Sequence, residues 1–111
     1  MYESTGDLRI RAFTAGGAIP VSGAIVRLWG ADEENRDFIR STITDRDGGG
    51  FFTDVPAPSV EYSLTPDPAE RPFATYDLEV VAKGYATQKI SGVSVFSGIE
   101  SYQPLNLIPI T

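Results

Sequence analysis

From Leu8 to Ile108 the chain alternates apolar and polar residues in short runs, and no window of about eleven residues carries the i, i+3, i+4 spacing of an amphipathic helix. A two-residue period places successive side chains on opposite faces of a strand. Leu8, Ile10 and Ala12 alternate with Arg9, Arg11 and Phe13, which predicts a first strand. Ala24, Val26 and Leu28 alternate with Ile25, Arg27 and Trp29 and predict a second. Phe38 to Thr44 reads as a third, with Ile39, Ser41 and Ile43 on one side, and Phe51 to Val55 as a fourth. The best-patterned strand is Phe73 to Ala82, where Tyr76, Leu78, Val80 and Ala82 share a face. Ala86 onward to about Val95, with a bulge at Gly92, and Tyr102 to Ile108 complete the set.

The turns between these runs have specific chemistry. Ala18 to Gly23 is a bend in which Pro20 fixes φ. Asp45-Arg46-Asp47-Gly48-Gly49-Gly50 is the strongest turn in the chain. Its aspartate accepts hydrogen bonds from nearby backbone amides, and its glycines supply positive φ. Gly30 to Asp37 reads as a charged loop. Pro56 to Pro72 holds five of the eight prolines and is predicted to be a long irregular loop, with a short extended piece at Val60 to Leu64. About seven strands in some hundred residues suit an all-β, two-sheet, Ig-like sandwich. Its expected extent is one domain over residues 1–111, with the core within 7–108.

Two absent residue types narrow the chemistry. Without cysteine there is no disulfide, thiolate nucleophile or cysteine-based metal site. Without histidine there is no Ser-His-Asp triad, no histidine-held metal and no side chain poised to exchange protons near neutral pH. The expectation is therefore a non-enzyme without a cofactor. Fifteen acidic residues against nine basic ones leave a net charge of −6, which disfavours a nucleic-acid backbone or an anionic membrane as partner. No secretory signal follows Met1, so a chain that begins natively at this residue is expected to be made in the cytoplasm.

Three stretches carry a family resemblance: Ile19-Pro20-Val21-Ser22-Gly23-Ala24-Ile25-Val26, Thr44-Asp45-Arg46-Asp47-Gly48, and Tyr76 through Gly84-Tyr85. Together they resemble the carboxypeptidase regulatory-like domain, a transthyretin-like (prealbumin-like) sandwich. Val55-Pro56-Ala57-Pro58, Arg71-Pro72-Phe73-Ala74-Thr75-Tyr76-Asp77 and Gln103 to Pro109 are most similar to the accessory sandwich of clostridial spore-cortex-lytic enzymes and its stand-alone relatives. That resemblance implies an accessory module whose partner is a peptidoglycan-type carbohydrate or another protein. The alternative is a self-assembling subunit of a coat, appendage or phage particle, which would be a homo-oligomer. The transthyretin-like hydroxyisourate hydrolase relies on histidines and a Tyr-Arg-Gly-Ser terminus, neither of which this chain has.

Phe13 and Trp29 fall on the polar sides of their strands and are candidates for a binding surface, joined by Tyr62, Phe73, Tyr102 and the Pro56–Pro72 loop; the simpler expectation is that the second sheet face or that loop covers these aromatics, and the loop equally fits a crossover strapped onto a sheet edge. Asp45, Asp47 and Asp54 surround the triple glycine and form a lesser candidate for calcium, without the complete loop and terminal bidentate glutamate that such a site uses. Solvated carboxylates in a turn are the simpler expectation. Asp77 and Glu79 are expected to point outward, which argues against a catalytic carboxylate pair. An intramolecular isopeptide bond is disfavoured because the early strands carry arginines and the only lysines are Lys83 and Lys89.

Overall fold

A computed structural model describes residues 2–59 and 72–110. It is an all-β sandwich of two sheets. In chain order the strands are β1 Ser4–Thr14, β2 Ile19–Pro20, β3 Ile25–Gly30, β4 Ile39–Ile43, β5 Gly49–Ala57, β6 Ala74–Val81, β7 Gln88–Val95 and β8 Glu100–Asn106. The first sheet is built around β1, which pairs antiparallel with β2 and β5 and parallel with β8. The second is fully antiparallel in the order β4-β3-β6-β7.

The alternation in the sequence becomes the core. Leu8, Ile10 and Ala12 of β1 face Val26 and Leu28 of β3 and Tyr76, Leu78 and Val80 of β6, and all are fully buried. Phe52 and Val55 of β5 and Leu105 of β8 complete the first sheet's contribution. Burying a side chain of this size stabilises by roughly 1.5–3 kcal/mol, so this interdigitated layer outweighs every surface contact discussed below.

Gly92 has φ of 73° at the register shift between Tyr76 and Leu78, and Asp77 Oδ1 accepts its N–H at 3.2 Å, so the expected bulge is there. The Asp45 turn also forms as expected. Asp45 Oδ1 accepts the N–H groups of Asp47 and Gly49, each at 2.9 Å, and Gly48 takes φ of 81°. A side chain at Gly48 would also strike the Ala12 carbonyl, its Cβ lying only 2.2 Å from that oxygen.

Two expectations are corrected. The long irregular segment does not begin at Pro56, because β5 continues through it, pairing Val55, Pro56 and Ala57 with Gly6, Thr5 and Ser4. An outer strand of a sheet accepts a proline because it leaves one row of backbone groups unpaired. The Pro56 carbonyl instead accepts the buried Tyr76 hydroxyl at 2.5 Å. The Ala18–Gly23 bend also contains the two-residue strand β2, one of the eight strands among the described residues. The proposed extended piece at Val60–Leu64 lies outside the described residues.

Candidate functional site

The outward residues of the β1 sheet form a continuous row across three strands. Arg9 of β1 stands opposite Phe51 of β5 on one side and Tyr102 of β8 on the other. Phe51 and Tyr102 are 50% and 53% exposed, large fractions for aromatic rings on a folded domain. The Arg9 guanidinium lies 5.8 Å from the centre of the Phe51 ring, within the range of a cation–π contact. Two residues further along β1, Arg11 lies 5.8 Å from the ring of Phe13. Neither arginine forms an ion pair with a described residue. The result is a strip of aromatic rings and guanidinium groups on one sheet face, with Pro104 of β8 and Pro20 of β2 exposed at its Phe13 end. Asp7 and Glu100, paired in register, mark the other end.

Of the residues expected to bind, Phe13 and Tyr102 share this face. Trp29 does not. It belongs to β3 in the other sheet and is half-buried on that sheet's outer face, between Ile39 and Asp77. Phe73 is half-buried against Phe96, with ring centres 5.5 Å apart. Tyr62 lies outside the described residues. Sequence reading missed Phe51 and Arg9. Phe51 and Phe52 are adjacent, so one faces the core and one faces water, and only the register of β5 on β1 decides which. The pairing Leu8 with Phe52 and Arg9 with Phe51 settles it.

The three aspartates proposed for calcium do not converge. Asp45 uses its carboxylate to hold its own turn. Asp54 lies further along β5, where the register shifts between Gly6 and Leu8, and its N–H donates to Asp7 Oδ1 at 3.1 Å. Among the described residues no group of three metal-ligating side chains comes together. Glu79 lies 3.9 Å from Lys89, and Asp77 holds the Gly92 bulge, so both outward carboxylates are engaged on the sheet surface.

A second polar cluster was read from the sequence only as a charged loop. Asp32 Oδ2 accepts hydrogen bonds from the Tyr2 hydroxyl, the Thr75 amide and the Thr75 hydroxyl, while its Oδ1 accepts the amides of Glu34 and Asn35. Asn35 is buried, returns a bond to the Asp32 amide and donates its own Nδ2 to the Thr75 carbonyl. Gly30 makes room for it, since a Cβ there would lie 1.8 Å from the Asn35 carbonyl oxygen. Burial, reinforced by the hydrogen bond to Asp32, pushes the Tyr2 phenol up from its usual range. Burial also raises Tyr76 to about 12. These internal bonds tie Tyr2 and the start of β6 to the loop after β3.

No family model matches the sequence, and no curated protein does. Solved structures do share the fold. Catechol 1,2-dioxygenase from Pseudomonas arvilla superposes with a TM-score of 0.63 at 18% identity, covering 100% of this chain and 54% of that one. The TIE protein of Bacillus anthracis matches with a TM-score of 0.61 at 18% identity, over 97% of this chain but 17% of its own. A candidate carbohydrate-binding protein from Pseudomonas aeruginosa matches with a TM-score of 0.55 at 16% identity, covering 93% and 88%. The chain thus spans less than two thirds of the first of these solved chains. At such identities the likeness establishes a shared sandwich architecture, and function has to be argued from the surface.

Proposed function

We propose that this chain is a non-catalytic binding module that lays the outer face of its β1 sheet against a carbohydrate of the cell-wall class. The observation that carries this reading is the row Phe51–Arg9–Tyr102, with Arg11 and Phe13 beside it. Sugar rings have apolar faces that stack on exposed aromatics, and their hydroxyls accept hydrogen bonds from the five N–H donors of a guanidinium. A strip running across the outer face of a sheet suits a polymer lying along it better than a small substrate, which needs concave walls. The sequence resemblance to the accessory sandwich of cortex-lytic enzymes supports a peptidoglycan-type ligand, and the carbohydrate-binding neighbour shares the scaffold.

The test is retention on purified peptidoglycan sacculi. Phe51→Ala together with Tyr102→Ala is expected to weaken binding about tenfold or more, at ~1 kcal/mol for each lost ring contact. Trp29→Ala, on the opposite face, is expected to leave it unchanged. Absence of retention by the unaltered chain, or retention indifferent to the double substitution, sinks the reading.

A further inference from the structure

The outer face of the other sheet carries a different pattern, and from it we infer that two copies of this chain pack face to face through β4-β3-β6-β7, related by a two-fold axis running along the strands between β3 and β6. This goes beyond the carbohydrate reading, which concerns the opposite side of the molecule. Cross-strand register arranges the outward residues in three rows. Ile43, Ile25 and Val81 form an aliphatic row and are 64%, 44% and 42% exposed. Next comes a charged row of Ser41, Arg27, Glu79 and Lys89. Ile39, Trp29 and Asp77 form the third, with Ile39 74% exposed. A contiguous aliphatic row on a sheet surface calls for a cover.

The charge pattern selects the occupant. A two-fold axis along the strands exchanges β3 and β6 between copies. It sets Arg27 of one copy opposite Glu79 of the other, and the reverse. It sets Ile25 opposite Val81, and the Trp29 indole N–H beside the Asp77 carboxylate. Each pairing occurs twice and none joins like charges. Arg27 forms no ion pair with a described residue, and the Glu79 carboxylate of the other copy, 3.9 Å from its own Lys89, would be shared between the two cations. A two-fold axis across the strands would instead oppose Arg27 to Arg27. Aligned sheets also pack naturally on one another, with about 30° between strand directions from their twist. Four strands spaced by about 4.8 Å, with five residues each at about 3.3 Å, give a contact face of roughly 300 Å² on each copy. That is roughly 600 Å² in total, below the ~1,000 Å² of a stable interface, so the dimer is weak and transient. It leaves the two Phe51–Arg9–Tyr102 faces outward on opposite sides, where one assembly engages two polymer chains.

The test is molar mass by light scattering and sedimentation on the full chain from about 1 μM to about 1 mM. The expected result is a monomer–dimer equilibrium. Arg27→Glu and Glu79→Arg are each expected to weaken it about tenfold or more, and the double exchange to restore it within about threefold. Ile25→Lys and, independently, Ile43→Lys on the outer strand β4 are expected to abolish it while the thermal midpoint stays within a few degrees, since both positions are surface sites. A monomer throughout the range overturns the inference and leaves the carbohydrate reading intact. So does a dimer indifferent to these substitutions, or growth into larger polymers.

Discussion

Two loops of this sandwich each hang on one aspartate, and they use it differently. In the Asp45 turn the carboxylate holds amides two and four residues ahead in the same hairpin. In the Gly30–Phe38 loop the Asp32 carboxylate holds two local amides and also three groups from distant parts of the chain, at Tyr2 and Thr75. The first aspartate shapes a turn. The second joins the chain's beginning, the loop after β3 and the start of β6. A side chain that satisfies only neighbours contributes one turn's stability, whereas one that satisfies distant backbone leaves several polar groups stranded when it is removed.

Removing each carboxylate tests this contrast most directly. Asp32→Ala is expected to cost about 2–4 kcal/mol, because a half-buried amide and two hydroxyls lose their acceptor together, and to lower the thermal midpoint by roughly 10–20 °C. A loss under ~1 kcal/mol would mean that water replaces the carboxylate and that the cluster is not a tertiary joint. Tyr76→Phe comes next, at about 1–2 kcal/mol, since it strands the Pro56 carbonyl and loosens the closure between sheets. The same residue sets an alkaline limit. Its phenol is raised from 10.0 to about 12 in the folded state, so its contribution is complete below pH 10 and is lost as the pH rises through about 12. Urea unfolding across that window should show stability falling in the unaltered chain and falling less in Tyr76→Phe; equal slopes would contradict it. Asp45→Ala is expected to be the smallest, about 1 kcal/mol, measured by denaturant midpoint with an unchanged m-value. A loss matching that of Asp32→Ala would erase the distinction between the two loops.

The strand set and its inward faces were legible because both depend on neighbours in sequence. Leu8-Ile10-Ala12 and Tyr76-Leu78-Val80 declare their faces by alternation, and all are buried. Asp45 to Gly48 declares its turn because the acceptor, the amides and the left-handed glycine all fall within five residues. The aromatic strip was only half legible. Phe13 reads as outward from its alternation, Tyr102 is ambiguous by pattern, and their sharing a face depends on β8 joining β1 in parallel, a pairing between residues roughly ninety positions apart. Pro56-Ala57 reads as the start of a loop by composition and becomes strand because β1 extends far enough back to pair with it.

The sequence by itself determined an all-β chain, the residues that line its core, its best turn and the absence of histidine and cysteine chemistry. All of these follow from residue type and short-range spacing. Only the tertiary structure decided that Phe13 and Trp29 look out from opposite sides of the molecule, that Phe51 rather than Phe52 joins Arg9 and Tyr102, and that Asp32 is a joint rather than a solvated loop charge. The physical reason is that alternation names a strand's two faces without naming the sheet it will join. Long-range backbone pairing makes that choice, and it determines which outward residues become neighbours.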